Sequence, residues 1–381
     1  MPVGLKELPP LYPVAGVCWG VACAGIKKPG RRDLALMELA PGSTCAAVFT
    51  RNAFCAAPVV LAKQHLAQRA PRWFLVNTGN ANAGTGASGL ADAHACCVAL
   101  GQLVECPPNE VLPFSTGVIG EPLPVAKITQ GLPEARANLT ECGWENAAHA
   151  IMTTDIVPKG ASRQFSVEGV TITVTGIAKG SGMIRPDMAT LLAFVATDAK
   201  VPQALLQQCL TEAVATSFNS ITVDGDTSTN DACMLAATGR VKHAAVTDTS
   251  PLYRQLCSAV REVCEQLAQA VVRAAREKGL TLPQAAPLEN VPGRGVRSSV
   301  DGKSVLIGAL KLFEETPGHD MPGDLRAAMT ALEAIYSDYE LLEADDRYRL
   351  LIDLGRALEP MPDALKTDAT LVRGCSAAVW V

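Results

Sequence analysis

The sequence predicts a layered α/β fold for most of the chain, and three observations support this. From Val14 to about Ala270, short apolar runs, which we interpret as strands, alternate with Ala- and Leu-rich stretches at helical spacing. Apolar residues make up 48% of the 381 residues and aromatic residues only 4%, so Ala, Val, Leu and Ile are expected to pack the layers. The net charge of −5 is scattered, without the Lys and Arg runs of a nucleic-acid-binding surface.

These runs assign the elements in chain order. The strand candidates are CAAVF, APVVL, RWFLVNTG, VTITVTGIA and LLAFVATDA. Val201–Ala215 and Tyr253–Arg276 carry apolar residues at helical spacing and predict two long helices. The last third begins with a β-rich segment, short strands punctuated by glycine, with Asp301-Gly302 as a hairpin turn. Residues 316–324 predict a linker, and two amphipathic helices follow it as a C-terminal helical segment.

No segment predicts a leader or a membrane span. Met1–Pro10 lacks a basic region followed by an apolar stretch, and nowhere do about 18 apolar residues run without interruption. We therefore expect a cytoplasmic protein with no membrane partner. The 13 cysteines form no Cys-x-x-Cys pair and mostly stand singly among apolar residues, which predicts reduced, buried side chains for all except Cys375.

The segment KGSGMIRPDMAT, residues 179–190, carries the strongest chemical signal. Two glycines, a proline and an aspartate crowd the end of a strand, a pattern that favours a sharp bend presenting one side chain. A Thr hydroxyl is a poor nucleophile without a base, and its own α-amine supplies one after the preceding peptide bond is cut. Thr190, after the small Ala189, fits this chemistry, because such an amine has a reference pKa of about 8. A structural turn followed by a buried strand is the alternative.

Residues 1–273 resemble the ornithine acetyltransferase family, the bifunctional glutamate N-acetyltransferases of arginine biosynthesis. The family's blocks are matched, in its order, by GIKKPGRRDLAL, AAVFTRNAFCAAPV, LVNTGNANAGTG, PFSTGVIGEPLP, MTTDIVPK and ITVDGDTSTND, and its cleavage site by KGSGMIRPDMAT. The resemblance implies the family's α-β-β-α sandwich and self-cleavage between Ala189 and Thr190. It implies an α subunit of residues 1–189 and a β subunit starting at 190–273, paired in a hetero-oligomer.

The activity that this resemblance implies is ping-pong acetyl transfer. Thr190 would take the acetyl group from N-acetylornithine, release ornithine and pass the group to glutamate, with no metal and no bound cofactor. Thr116 and Gly117 in STGVIG would form the oxyanion hole, since a hydroxyl and a backbone N–H can both point at a developing negative charge.

Two more residues would contact the acetylated amino acid together with Thr190. They are Thr153 in MTTD and Lys179, whose cation would face the substrate carboxylate. From the residues alone, an ordinary Ser-Thr-Gly turn and a surface lysine remain the alternatives to these roles. The polar run DGDTSTND, residues 224–231, lacks the final Glu of an EF-hand calcium loop, and by resemblance it is a structural loop of the β subunit.

The resemblance stops near residue 273. Where the family continues into DGEGATK, whose Glu contacts substrate, this chain has AAREKGL, and the family's C-terminal substrate-contacting Asn and Ser or Thr have no counterpart. Residues 265–315 resemble part of the nucleotide-binding domain of heavy-metal P-type ATPases, with Gly293-Arg294-Gly295 as the glycines that approach ATP. A turn at a strand edge is the more frequent origin of a lone Gly-x-Gly. Without DKTG and membrane helices, ion pumping is excluded.

Residues 325–381 resemble the first half of a SufE-type sulfur acceptor. Cys375 in VRGCSAAVW matches the cysteine that receives persulfide sulfur from a cysteine desulfurase, and Arg373 nearby favours a thiolate, with a buried inert thiol as the alternative. The predicted division is therefore 1–189, 190–273, 274–315 and 325–381. Two further functions stay open beside acetyl transfer: a sulfur-acceptor or interaction module that uses Cys375, and an inactive composite of fragments.

Overall fold

A computed structural model describes residues 8–180, 191–221, 228–277, 289–291, 295–300, 303–308, 371–372 and 379–380. The chain divides into two compact units, residues 1–282 and 283–381. Several predictions lie outside the described residues. They concern Ala189, Thr190, Cys375, Gly293-Arg294, residues 224–227 of the polar run, the linker 316–324 and the two C-terminal helices.

The first unit is built from nine strands and six helices within the described ranges. The strands are β1 (Val17–Ala22), β2 (Leu34–Leu39), β3 (Thr44–Phe49), β4 (Trp73–Asn80), β5 (Val111–Val118), β6 (Lys159–Val167), β7 (Val170–Lys179), β8 (Leu192–Thr197) and β9 (Ala232–Ala237). The helices are α1 (Ala57–Gln68), α2 (Gly86–Val104), α3 (Val125–Ala137), α4 (Trp144–Ala150), α5 (Gln203–Thr216) and α6 (Pro251–Glu277). Two short 3₁₀ turns cover Pro108–Glu110 and Phe218–Ser220.

The strands form two mixed sheets. One has the order β1-β2-β4-β5 and the other the order β3-β9-β8-β7-β6. Within each sheet a single neighbouring pair is parallel, β4 with β5 and β8 with β9, and the remaining pairs are antiparallel. Both parallel pairs are joined through a helix, as parallel strands require.

Three apolar clusters show how the layers stack. One cluster joins the two sheets, a second joins the four-stranded sheet to α2 and α3, and a third joins the five-stranded sheet to α5 and α6. The predicted α-β-β-α sandwich is therefore confirmed. The expectation of a core without rings is wrong for the central layer, because the few aromatic residues are concentrated there: Trp19, Phe74, Phe114, Trp144 and Phe194.

Helical spacing gave better predictions than short apolar runs. The two long helices predicted near Val201 and Tyr253 are confirmed as α5 and α6. APVVL, interpreted as a strand, instead begins α1. Pro58 stands in the first turn of that helix, where its missing N–H breaks no helical hydrogen bond, and apolar residues then recur at helical spacing.

Among the described residues, one helix, α2, is long and apolar enough to span a membrane by length and hydropathy. The sequence had predicted no such helix. The same helix packs one face against α1, α3 and β5. Its buried residues recur every three or four positions, which is the pattern of a core helix.

The prediction of buried cysteines holds only in part. Six of the twelve described cysteines are buried, namely Cys45, Cys96, Cys97, Cys209, Cys233 and Cys264, and all twelve are free thiols. Cys23 and Cys142 are exposed, so the prediction is wrong for them. Both lie in connections, Cys23 after β1 and Cys142 in the turn before α4, where no layer covers the side chain.

The second unit contains a three-stranded antiparallel sheet of β10 (Glu289–Val291), β11 (Gly295–Val300) and β12 (Lys303–Gly308). Val300 pairs with Lys303, which is the register that the predicted Asp301-Gly302 hairpin requires. A short pair, β13 (Leu371–Val372) and β14 (Val379–Trp380), lies near the C-terminus. The predicted β-rich segment is confirmed for the strands that are described.

Candidate active site

A cavity of about 620 Å³ opens where β4, β5 and β7 end. Thr116, Gly117, Thr153 and Lys179 all line it, so four of the residues predicted from the sequence lie around one space. They come from both sheets and from the loop that follows α4. Thr190 lies outside the described residues, and its neighbour Leu191, which directly precedes β8, is buried.

Thr116 and Gly117 lie near the end of the parallel pairing of β5 with β4, which runs to Val118. Thr116 is buried opposite Thr78, and the register of the two strands shifts at Gly79 and Asn80. Gly117 has φ +141°, and a Cβ at this position would lie 2.3 Å from the carbonyl carbon of Gly79. Only glycine fits this contact, so STG is not an ordinary turn but a strand end pressed against its neighbour.

An amide from the other sheet supports this strand end. Asn230, which precedes β9, donates from Nδ2 to the carbonyl oxygens of Ser115 at 3.0 Å and Ala81 at 2.6 Å. Ser115 in turn donates to Oδ1 of Asn77 at 2.6 Å. The backbone that carries Thr116 is therefore held by buried hydrogen bonds from Asn230 and Asn77, and no local sequence pattern predicts these bonds.

Lys179 is the last residue of β7 and pairs with Leu192 of β8. Burial lowers the pKa of its ammonium, while the neighbouring Asp155 and Asp231 act in the opposite direction. The alternative of a surface lysine is wrong, because the side chain is partly buried and faces the cavity. A cation at this depth loses less of its attraction for a carboxylate to solvent than one at the surface.

Hydrogen bonds to Arg31 and Asp155 hold the loop that carries Thr153. Arg31 donates from Nη2 to the carbonyl oxygens of Met152 at 2.6 Å and Thr153 at 3.0 Å. The N–H of Thr153 donates to Oδ2 of Asp155 at 3.1 Å. Arg31 lies in the GIKKPGRRDLAL block and Asp155 in the MTTDIVPK block, but the sequence alone indicates no role for either residue.

Asp231 is a buried carboxyl group beside the start of β8. Its Oδ2 has no hydrogen-bond partner in the described part of the chain, and the next residue, Ala232, donates its N–H to the carbonyl of Leu191 at 3.1 Å. Burial raises the pKa of Asp231 to about 8, although Lys179, Ser228 and the N–H of Leu191 oppose this shift. Burial therefore favours the protonated form of this carboxyl.

The rim of the cavity is basic on one side. Lys27, Lys28 and Arg31 line it, and Lys27 donates to Glu121 at 2.7 Å. The lining also contains the apolar side chains of Val118 and Ile119, which are exposed. Basic and apolar walls together suit a ligand that carries a carboxylate and a small acyl group.

Comparison with known proteins gives two family matches. A model of the ArgJ family matches residues 18–278. The chain belongs to the ArgJ family. A model of an Fe–S metabolism associated domain, SufE, matches residues 333–381, in agreement with the predicted SufE-like fragment.

Curated relatives agree with the ArgJ match. The arginine biosynthesis bifunctional protein ArgJ of Pseudomonas fluorescens is 57% identical over 274 residues, which cover 72% of this chain and 67% of the relative. That of Methylococcus capsulatus is 57% identical over 263 residues, 69% of this chain and 64% of the relative. The match thus spans about two thirds of the ArgJ relatives' own length, and it supports an acetyltransferase of arginine biosynthesis rather than a sulfur acceptor.

Two solved ArgJ-family structures are similar in sequence. ArgJ from Bacillus halodurans is 37% identical and covers 46% of this chain and 91% of its own, with a TM-score of 0.42. Ornithine acetyltransferase from Mycobacterium tuberculosis, solved in complex with ornithine, is 36% identical and covers 47% of this chain and 93% of its own, with a TM-score of 0.41.

Proposed function

We propose that the chain moves an acetyl group from N-acetylornithine to glutamate through an ester on Thr190, after cutting itself between Ala189 and Thr190. The observation that carries the proposal is the single cavity lined by Thr116, Gly117, Thr153 and Lys179 in a chain of the ArgJ family. Their roles follow from chemistry that each side chain can perform at that place.

The acyl-transfer step needs a nucleophile, a base and a place for negative charge. The hydroxyl of Thr190 attacks the acetyl carbonyl, and its proton passes to the α-amine of the same residue. The hydroxyl of Thr116 and the N–H of Gly117 stabilise the oxyanion, each contributing about 3 kcal/mol. Collapse expels the ornithine amine, which takes the proton, and the amine of glutamate then attacks the ester in the same way.

Self-cleavage uses the same hydroxyl before the α-amine is free. The oxygen of Thr190 attacks the carbonyl of Ala189, the peptide nitrogen leaves as an amine, and water hydrolyses the resulting ester. The pieces are residues 1–189 and residues 190–381. The five-stranded sheet contains strands from both, since β7 pairs with β8 and β3 pairs with β9. We infer that the pieces stay together as an α/β hetero-oligomer, with residues 190–273 as the start of the β subunit.

Polar and apolar residues of the cavity lining recognise the substrate. Lys179 attracts the carboxylate of the amino acid, and Thr153 contacts the same molecule from its fastened loop. Val118 and Ile119 offer an apolar wall for the acetyl methyl group. None of these roles needs a metal or cofactor, and cytoplasmic amino-acid pools would supply both substrates.

Self-cleavage is tested on a denaturing gel and by N-terminal sequencing of the purified full chain. We expect two fragments, the second starting TLLAFVATDA. Thr190→Ala should leave one intact chain, whereas Thr190→Ser, which keeps a hydroxyl, should still cut, though more slowly. An intact wild-type band that persists on incubation would rule out cleavage at this site.

Acetyl transfer is tested separately, by release of ornithine from N-acetylornithine in the presence and absence of glutamate. We expect glutamate-dependent turnover in the cleaved wild type and none in Thr190→Ala. Cleavage without turnover would contradict the transferase proposal and leave the self-cleaving fold intact, a result that the missing substrate-contacting Glu in AAREKGL would explain.

A further inference from the structure

One buried carboxylate connects the two residues proposed to contact substrate. Asp155 accepts the N–H of Thr153 on Oδ2 at 3.1 Å and the N–H of Gly180 on Oδ1 at 2.8 Å. Gly180 directly follows Lys179 at the end of β7. Lys159, at the start of β6, donates to the same Oδ1 at 2.5 Å. The Asp155 and Lys159 side chains are 0% and 1% exposed.

These hydrogen bonds fix the distance between the Thr153 loop and the end of β7, which the backbone alone does not fix. Thr153 lies on an irregular loop after α4, and Lys179 lies on a strand edge of the five-stranded sheet. Asp155 holds both backbones at once, because its two oxygens accept one N–H from each. A shift of about 1 Å in either would separate the loop from the strand end and move both side chains in the cavity.

The charges around Asp155 are arranged to keep it ionised. Burial alone raises the pKa of this carboxyl, but Lys159, Lys179 and the N–H of Gly180 outweigh burial and hold the pKa below its usual range. A buried ion pair is a weak source of net stability, since apolar residues of similar size stabilise a fold as well or better. A purely structural role therefore does not require a charge at this position.

We propose that Asp155 is a positioning residue, which fixes Thr153 and Lys179 at the spacing that the acetylated amino acid requires, while Lys159 neutralises it. This inference rests on the proposed function for the substrate contacts, and on the described hydrogen bonds alone for the connection. Asp155 itself lies behind the cavity wall and acts through these two residues.

The test uses the full chain and two variants. Lys159→Met removes the cation but leaves both N–H bonds to Asp155, and it serves as the matched control. The double variant Asp155→Asn, Lys159→Met removes both charges, so that no lone ammonium is left buried, and puts an NH₂ group where an N–H acceptor was. Folding of both variants is confirmed by circular dichroism and thermal unfolding.

The first readout is hydrogen–deuterium exchange, which needs no activity. We expect faster exchange in the double variant than in Lys159→Met for peptides that contain the amides of Thr153 and Gly180, because only the double variant loses a carboxylate oxygen that accepts these N–H groups. The second readout is the KM for N-acetylornithine. We expect it to rise roughly 10- to 100-fold in the double variant with kcat changed much less, and to rise less in Lys159→Met.

Each contrary result has a distinct meaning. Equal exchange in the two variants would show that Asp155 does not hold the two segments. Faster exchange with an unchanged KM would show that the connection exists but does not position substrate contacts. If the wild-type chain turns over no N-acetylornithine, the proposed function fails on that assay, and binding of ornithine measured by calorimetry replaces KM. Equal binding by the two variants, or none by wild type, would then overturn the positioning role.

Discussion

The backbone of Gly117 lies against that of Gly79, so closely that a Cβ on Gly117 would meet the carbonyl carbon of Gly79 at 2.3 Å and the nitrogen of Asn80 at 2.5 Å. The two glycines sit at the C-terminal ends of the parallel strands β4 and β5. The direction of the Gly117 N–H is therefore set by strand packing rather than by a free loop. The proposed oxyanion hole would therefore be preorganised before substrate arrives.

Replacement of Gly117 by alanine should strongly slow acetyl transfer. The added methyl must displace the backbone of β4 or β5, and either movement turns the Gly117 N–H away from the oxyanion. Loss of one such donor costs about 100- to 1,000-fold in kcat. Steady-state kinetics on the cleaved protein measure this loss in kcat.

Gly120→Ala is the matched control for this substitution. Gly120 also has a positive φ, +80°, but a Cβ there would meet nothing within 4 Å. We expect a loss of about 1–2 kcal/mol in unfolding free energy from backbone strain, with kcat close to that of wild type. Similar kcat values for the two alanine variants would show that crowding at Gly117 is irrelevant to catalysis.

Asn230→Ala should weaken both the fold and the reaction. The substitution leaves the carbonyls of Ala81 and Ser115 without the Nδ2 donor, deep between the two sheets. An unsatisfied buried acceptor costs about 1–3 kcal/mol each, and the strand end with Thr116 loses its support. Urea unfolding and kcat are the measurements. Asn109→Ala, whose amide makes an exposed bond to Gln68, should change neither, and equal effects would contradict the bracing role.

As pH rises, the affinity for N-acetylornithine should begin to fall at a lower pH than it would with a lysine of ordinary pKa. Burial lowers the pKa of Lys179, so its cation is lost as pH rises through a value below the usual 10.4 or so. We expect KM to rise across that window in wild type. Lys179→Met should raise KM at every pH by roughly 30-fold, equivalent to about 2 kcal/mol, and remove this pH dependence.

Lys179→Arg is the control for charge, since guanidinium stays protonated across the whole accessible range. Its KM should be flat where that of wild type rises. A wild-type profile that stays flat up to the ordinary lysine range would contradict a buried, substrate-facing Lys179.

Local patterns in the sequence predicted those parts of the fold that depend on local interactions. α5 and α6 follow from apolar spacing, and the STG and MTTD blocks placed Thr116 and Thr153 in the site. APVVL misled because a short apolar run has no period of its own, and only the residues after Pro58 reveal the helix. The prediction of burial failed for Cys23 and Cys142 because they lie in connections, where no helix or sheet covers an apolar side chain.

The supporting residues of the site were missed for a different physical reason. Asn230 reaches Ala81 across 149 residues of sequence, and Arg31 reaches Met152 across 121. Contacts of this kind arise when two sheets are stacked, and no local period or motif encodes them. Asp155 lies in the MTTDIVPK block, yet its role depends on the N–H of Gly180, 25 residues away.

Stability should fall with rising pH in part because of Asp231, and Asp231→Asn should reduce this effect. Burial raises the pKa of Asp231 to about 8, above its ordinary value of about 3.9. Between these values the native state binds more protons than the unfolded chain, so the free energy of unfolding declines as pH rises through the window. Thermal unfolding between pH 5 and 8 measures the decline. Asp248→Asn, at an exposed position before α6, should leave the wild-type slope unchanged, and an equally steep slope in Asp231→Asn would refute the assignment.

Phe194→Ala should be strongly destabilising, because its ring lies in the apolar cluster between the two sheets. The ring centroid of Phe194 lies 5.6 Å from that of Trp19 and 5.1 Å from that of Phe114, both in edge-to-face geometry. Truncation removes the ring and leaves a cavity lined by residues of both sheets, which costs about 3–5 kcal/mol. Phe54→Ala is the matched control, since that ring is 54% exposed and should cost much less. Urea unfolding distinguishes them, and equal midpoints would mean that the two sheets do not depend on this aromatic cluster for their packing.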